Sequence, residues 1–228
     1  MKILIADDHA IVRQGLRSLI EGQGGAGSPT QNSALGSPME VVGEAEDGQA
    51  AVRLAAELAP DVVIMDVTMP DLNGVEATRQ IVQKNPDIKV IVLSMHPDKH
   101  IVKESLKAGA SGYVLKSYLF DELRRALEAA AAGGHYLSPR VTDVLIEDYV
   151  RGAAKPNASL PDSLTGAERQ VLQLLAEGLS IKEIAKRLHM SPKTVDARRR
   201  SIMSRLGVSS VADLVKYALR TGLTSLDF

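Results

Sequence analysis

The sequence predicts two folds on one chain: an α/β domain on a doubly wound, five-stranded parallel sheet, then an all-α domain of four helices. Three observations predict it. Residues 1–132 alternate short runs that are apolar on both faces with amphipathic stretches, as strands covered by helices on both sides do. Beyond residue 163 only helical patterns and their start signals remain. The charge also changes sign along the chain: 13 Lys+Arg against 18 Asp+Glu in residues 1–132, 3 against 4 in 133–163, and 11 against 6 in 164–228. The net charge of −1 is therefore a cancellation, and an acidic part followed by a basic part implies two tasks.

The strands of the first part are Lys2–Ala6, the weaker Glu40–Glu44, Val62–Met65, Val90–Leu93 and Tyr113–Leu115, with helices at 10–21, 48–58, 72–84, 98–108 and 119–132. Repeated β-α alternation implies right-handed parallel crossovers. Residues 22–38 (GQGGAGSPTQNSALGSP) break the rhythm and read as a flexible inserted loop, or alternatively as a partner-binding one. After Gly133-Gly134 the strands are expected to stop. The region 133–162 reads as a linker holding one short helix, Pro139–Val150, with Ser138 as N-cap and Pro at the first helical position. In the domain at 163–228, Thr165-x-x-Glu168 and Ser180-x-x-Glu183 fit capping boxes, Ser191-Pro192 starts a third helix and Ser210-x-x-Asp213 a fourth.

Several classes are excluded early. With no cysteine there is no disulfide framework, thiolate metal site or Cys nucleophile, which suits a reducing cytoplasm. No apolar run approaches the roughly 20 residues of a membrane span, and Asp7-Asp8 interrupts any signal-peptide core.

The chemistry lies in what ends each apolar run: Asp7-Asp8 after the first, Asp66 after the third, Ser94 after the fourth and Lys116 after the fifth. In a parallel sheet these carboxyl ends share one rim, where ligands of such folds bind. Three carboxylates there demand a counter-charge, and an all-oxygen donor set favours Mg²⁺. Lys116 and Ser94 supply a point charge and a donor for an anion beside it. Asp66, last on the central strand, is the natural nucleophile toward phosphorus. Taken singly the residues are ordinary; Asp8, for instance, could simply favour the start of the first helix. A nucleotide binder would need a Gly- or hydroxyl-rich loop where Asp7-Asp8 stands. An Asp-nucleophile phosphohydrolase would carry a second acid at Thr68. Neither enzyme reading fits.

These residues resemble the receiver domain of two-component response regulators, of flavodoxin-like topology, over 1–132: the pair at 7–8, D-x-x-M-P at 66–70, Ser94 and Lys116. The resemblance implies that Asp66 is phosphorylated with Lys116 and Ser94 assisting. It implies that Asp8 binds Mg²⁺ directly, that Asp7 acts largely through water and that the Thr68 carbonyl completes the protein ligands. Ser94 and Tyr113 would be the switch pair. The insertion at 22–38 departs from the pattern and interrupts the first-helix surface.

In the basic part, 180–188 and 192–206 have helix-turn-helix spacing. At about 100° per residue from Lys193, Val195, Ile202 and Leu206 form an apolar stripe, while Lys193, Asp196, Ala197, Arg200 and Ser204 lie opposite and Arg198 and Arg199 flank. The outward face would enter a major groove, with flanking arginines reaching phosphates. A solvated basic helix is the plainer alternative. The segment 164–222 looks like the LuxR-type helix-turn-helix through Leu164-Thr165, Glu168, Val171-Leu172, Lys182-Glu-Ile-Ala185, Thr194-Val195 and Arg205-Leu-Gly-Val208, with departures at Ala167, Gln170, Ile181 and Arg198. The expected DNA-contacting set is Lys182, Lys193, Thr194, Asp196, Ala197, Arg198, Arg199 and Arg200, of which Asp196, Ala197 and Arg200 sit where the family reads bases.

Receiver plus this motif is the NarL/FixJ-type arrangement. The expectation is a cytoplasmic, non-enzymatic, phosphorylation-dependent transcriptional regulator. Its partners would be a sensor histidine kinase, an inverted-repeat DNA operator, RNA polymerase and, when phosphorylated or DNA-bound, a second copy of itself. Release of the basic domain from the acidic one is the switch the charge asymmetry suggests. The alternative is a phosphorylation-independent DNA-binding regulator whose receiver is a dimerisation or partner module.

Overall fold

Residues 1–21, 39–95, 97–152, 164–221 and 223–224 are described by the computed structural model; the insertion at 22–38 and residues 153–163 of the expected linker lie outside them. The chain divides into two compact units, Met1–Tyr149 and Val150–Phe228.

From Met1 to Gly152 the order is β1 (Lys2–Ala6), α1 (Ala10–Glu21), β2 (Glu40–Ala45), α2 (Gly48–Leu58), β3 (Val62–Asp66), α3 (Gly74–Lys84), β4 (Lys89–Ser94), α4 (Lys99–Lys107), β5 (Gly112–Leu115), α5 (Leu119–Ala131), β6 (Tyr136–Leu137) and α6 (Pro139–Gly152). The sheet is parallel in the order β2-β1-β3-β4-β5-β6. Alternate residues feed two cores, one per face. Leu4, Val63, Met65, Val90, Val92 and Tyr113 pack under α2, α3 and α4. Ile3, Ile5, Ile64, Ile91, Leu93 and Val114 pack under α1 and α5. Both faces being covered is why these strands read as unbroken apolar runs.

The expectation of five strands is short by one. Gly133, at φ +73°, turns the chain back after α5, and two residues then extend along the β5 edge. The Tyr136 amide donates to Ser111 O at 3.1 Å, and the Ser138 amide to Tyr113 O at 2.9 Å. Two residues carry no periodic signal, so β6 exists only through its partner. The helix after it forms as expected, but the Ser138 hydroxyl does not cap it. That oxygen accepts from the Leu115 amide at 3.0 Å and donates to the Glu122 carboxylate.

The second unit contains α7 (Gly166–Ala176), α8 (Ile181–Arg187), α9 (Pro192–Leu206) and α10 (Val211–Arg220). Both capping boxes are formed, Ser191 caps α9 with Pro192 behind it, and Ser210 caps α10. Gly207, at φ +64°, ends α9 in the left-handed conformation that suits glycine. Val195 and Ile202 are fully buried beside Leu172, Leu174, Ile184 and Leu214, with Leu206 partly buried, so the expected stripe is the core-facing side of α9.

Candidate functional site

The topology delivers Asp7, Asp66, Ser94 and Lys116 to the carboxyl rim of four adjacent strands. Asp7 and Asp66 are buried. Lys116 Nζ lies between them, 2.7 Å from Asp7 Oδ2 and 3.0 Å from Asp66 Oδ2. Asp7 is fixed from several sides. Its amide donates to Ala45 O, its Oδ1 accepts from the His9 amide at 2.9 Å, and its carbonyl accepts from Arg13 Nη1 at 2.8 Å. Asp66 is backed by α3, whose Gly74 comes so close that an added Cβ would stand 1.8 Å from Asp66 O. Only glycine permits that approach.

Burial pushes the Asp66 carboxyl up from 3.8 to about 6; Lys116 pulls against this, while Asp7 and Asp8 reinforce it. For Lys116, burial draws the ammonium down, but Asp66 and then Asp7 outweigh it and the net shift is upward. One ammonium thus serves two buried carboxylates, with the Asp8 carboxylate adding to the negative charge felt by Asp66, an arrangement short of positive charge. Ligand atoms of Asp7, Asp8, His9 and Asp66 all lie within 4.8 Å of one another, close enough to share one cation. His9 is the member that sequence reasoning missed. Its ring Nδ1 is 2.7 Å from Asp8 Oδ1, and its adjacency to Asp8 was the available signal.

Ser94 is buried at the end of β4, and its side chain shares a hydrogen bond with the phenol of fully buried Tyr113. Burial pushes that phenol up to about 12, with Ser94 offsetting part of the shift. Thr68 stands exposed in the loop after β3.

In the second unit Lys182, Lys193, Thr194, Ala197 and Arg200 are exposed, while Asp196, Arg198 and Arg199 are half-buried. Asp196 holds both neighbouring arginines, Oδ1 to Arg199 Nη2 at 2.8 Å and Oδ2 to Arg200 Nη2 at 3.0 Å. Arg198 Nη1 and Arg199 Nε are buried without a hydrogen-bond partner among the described residues. Thr194 belongs partly to the helix start, its hydroxyl 2.8 Å from that of Ser191. Glu168 ties α7 to α9, accepting from Ser201 Oγ at 3.2 Å and Arg205 Nη1 at 3.1 Å.

A doubly wound parallel sheet with a buried Asp–Lys–Asp cluster at its rim, followed by a helix-turn-helix with a basic face, defines a receiver coupled to a DNA-binding effector. Comparison with known proteins agrees. Residues 3–128 match the response regulator receiver domain, and residues 162–218 match the bacterial regulatory proteins of the luxR family. The chain is 37% identical to the oxygen regulatory protein NreC of Staphylococcus carnosus over all of both chains. It is 36% identical to the transcriptional regulatory protein DegU of Brevibacillus brevis, covering 97% of this chain and 94% of that one. The structure of RcsB from Salmonella enterica serovar Typhimurium bound to promoter rprA with the phosphomimetic BeF3- is similar at TM-score 0.59 and 30% identity, over 95% of this chain and 97% of that one. This chain belongs to the two-component response regulators of the NarL/FixJ type, DNA-binding transcriptional regulators rather than classical enzymes.

Proposed function

We propose that the chain is a transcriptional regulator switched by phosphorylation of Asp66. The observation that carries the reading is the placement of Lys116 between two buried carboxylates, 2.7 Å from Asp7 and 3.0 Å from Asp66. In the transfer, Asp66 attacks the phosphorus of a phosphohistidine on a sensor kinase. The P–N bond breaks as the O–P bond forms, and the leaving imidazole takes up a proton. Lys116 follows the transferred phosphoryl oxygens, and the Ser94 hydroxyl donates to one of them, drawing on its link to Tyr113. The clustered oxygen donors and the deficit of positive charge fit Mg²⁺, held by Asp7, Asp8, Asp66 and the Thr68 carbonyl. When bound it would neutralise charge developing on the phosphoryl oxygens.

On DNA, the exposed face of α9 enters the major groove. Arg200 reads guanine after leaving Asp196, Ala197 offers an apolar contact, and Lys182, Lys193, Thr194, Arg198 and Arg199 serve the phosphates. Asp196 either accepts from cytosine or deters wrong sites. RcsB dimers are seen bound to DNA. A two-fold dimer of this chain would read an inverted repeat with half-sites about 10 bp apart, or a multiple of that, and would act on RNA polymerase in the cytoplasm. Among the described residues no helix is long and apolar enough to cross a membrane. The test is labelling by a small phosphodonor. Label should require Mg²⁺ and disappear in Asp66→Asn; equal labelling of both proteins, or of neither, refutes the assignment.

A further inference from the structure

Ser138 uses every polar atom it has, and between them they reach three elements, β5, α5 and α6. Its amide donates to the carbonyl of Tyr113 at 2.9 Å, and its hydroxyl oxygen accepts from the amide of Leu115 at 3.0 Å. The same hydroxyl donates to the Glu122 carboxylate of α5. Its carbonyl accepts from the Val141 and Thr142 amides, the first turn of α6, at 2.8 and 3.0 Å. Ser138 is wholly buried and Glu122 nearly so, which leaves water little access to stand in for any of these bonds.

The arrangement has a geometric reason. The ladder of β5 and β6 runs through the carbonyls of Ser111 and Tyr113. At the next rung the chain has turned into α6, and its carbonyl is committed to that helix. The Leu115 amide would be orphaned, and the side-chain oxygen of Ser138 supplies the missing acceptor. This rung sits beside Lys116, whose ammonium joins Asp7 and Asp66, and two residues beyond Tyr113, which bonds Ser94. One residue therefore fastens the end of β5 to the start of the helix that leads, in sequence, toward the DNA-binding unit. We propose that Ser138 is a positioning residue of the switch, passing displacement of the Tyr113–Lys116 segment at the phosphoryl site to α6. This rests on phosphorylation of Asp66 as the input.

The test uses the full chain, Mg²⁺ and beryllofluoride as the phosphoryl mimic, with acetyl phosphate for labelling. Hydrogen exchange on the wild type comes first. Addition of the mimic should change exchange in peptides covering 113–116 and 138–145 together; change in the first with none in the second overturns the relay. Next, Ser138→Ala should be labelled like wild type yet lose most of the gain in DNA affinity that the mimic gives, a coupling on the order of tenfold in such switches. Glu122→Gln, which keeps an acceptor for the hydroxyl, should retain that gain. An undiminished gain in Ser138→Ala overturns the proposal, and so does loss of labelling, which would assign Ser138 to the phosphoryl site itself. Should Ser138→Ala fail to fold, the wild-type exchange result decides. Failure of the wild type to take label or respond to the mimic would instead sink the assignment of Asp66.

Discussion

Replacing Asp66 by asparagine should stabilise the receiver unit when no divalent cation is present. Burial raises the carboxyl from 3.8 to about 6. At about 1.36 kcal/mol per pKa unit, the ionised form costs roughly 3 kcal/mol of folding stability relative to an unperturbed aspartate. A raised folded-state pKa means that the protonated form's stability is fully present below about pH 4 and is lost as pH rises through about 6, so the cost is complete near pH 7.5. Asparagine removes the charge but weakens the bond to Lys116, which keeps Asp7 at 2.7 Å. The value of about 6 already contains the pull of Lys116, so a neutral side chain recovers up to roughly 3 kcal/mol. For a unit of this size that is on the order of 6–12 °C in melting temperature. Thermal denaturation by circular dichroism in chelator measures it. The gain should shrink as pH falls through about 6, where the folded wild-type carboxyl takes up its proton, and with Mg²⁺, which stabilises the wild type by mass action. A variant no more stable than wild type in chelator near pH 7.5, or an advantage unchanged near pH 5, would refute the electrostatic account.

Three further outcomes follow from the same geometry. Gly74→Ala should cost about 1–3 kcal/mol and depress phosphodonor labelling, because the new Cβ forces α3 off the Asp66 carbonyl; denaturant melts and labelling check it. Glu168→Ala removes a capping box and the links to Ser201 and Arg205, and should cost the second unit about 2 kcal/mol, whereas Glu168→Gln keeps the box and loses less, as thermal melts of the full chain would report. Arg200→Ala should lose about 1–3 kcal/mol of preference at one base position in a DNA selection, while Lys193→Ala should weaken all sequences alike and reduce the salt slope by about 1.

The sequence made the sheet legible where burial on both faces produced unbroken runs such as Ile3–Ala6 and Val62–Met65, and the rim residues followed because parallel topology aligns strand ends. The stripe of Val195, Ile202 and Leu206 was legible because a helix has a fixed angular period. What escaped depends on partners distant in the chain. The strand Tyr136–Leu137 is defined by the free edge of β5, and the Ser138 hydroxyl answers to Leu115 and Glu122 rather than to the helix it precedes. The bond from Glu168 to Arg205 spans 37 residues and has no local trace. The pairing of Asp196 with Arg199 and Arg200, by contrast, had a local signal in its i,i+3 and i,i+4 spacing. Its consequence is functional, because the arginine expected to read a base starts out bound to a neighbour.

On the proposed function, the state of Asp66 sets the affinity for DNA. Fluorescence anisotropy on a selected operator, with Mg²⁺ and with or without beryllofluoride, tests it most directly. Wild type should bind more tightly when the mimic is added and Asp66→Asn should not respond. Equal affinity of the wild type in both conditions would contradict the account and leave the receiver as a partner or dimerisation module.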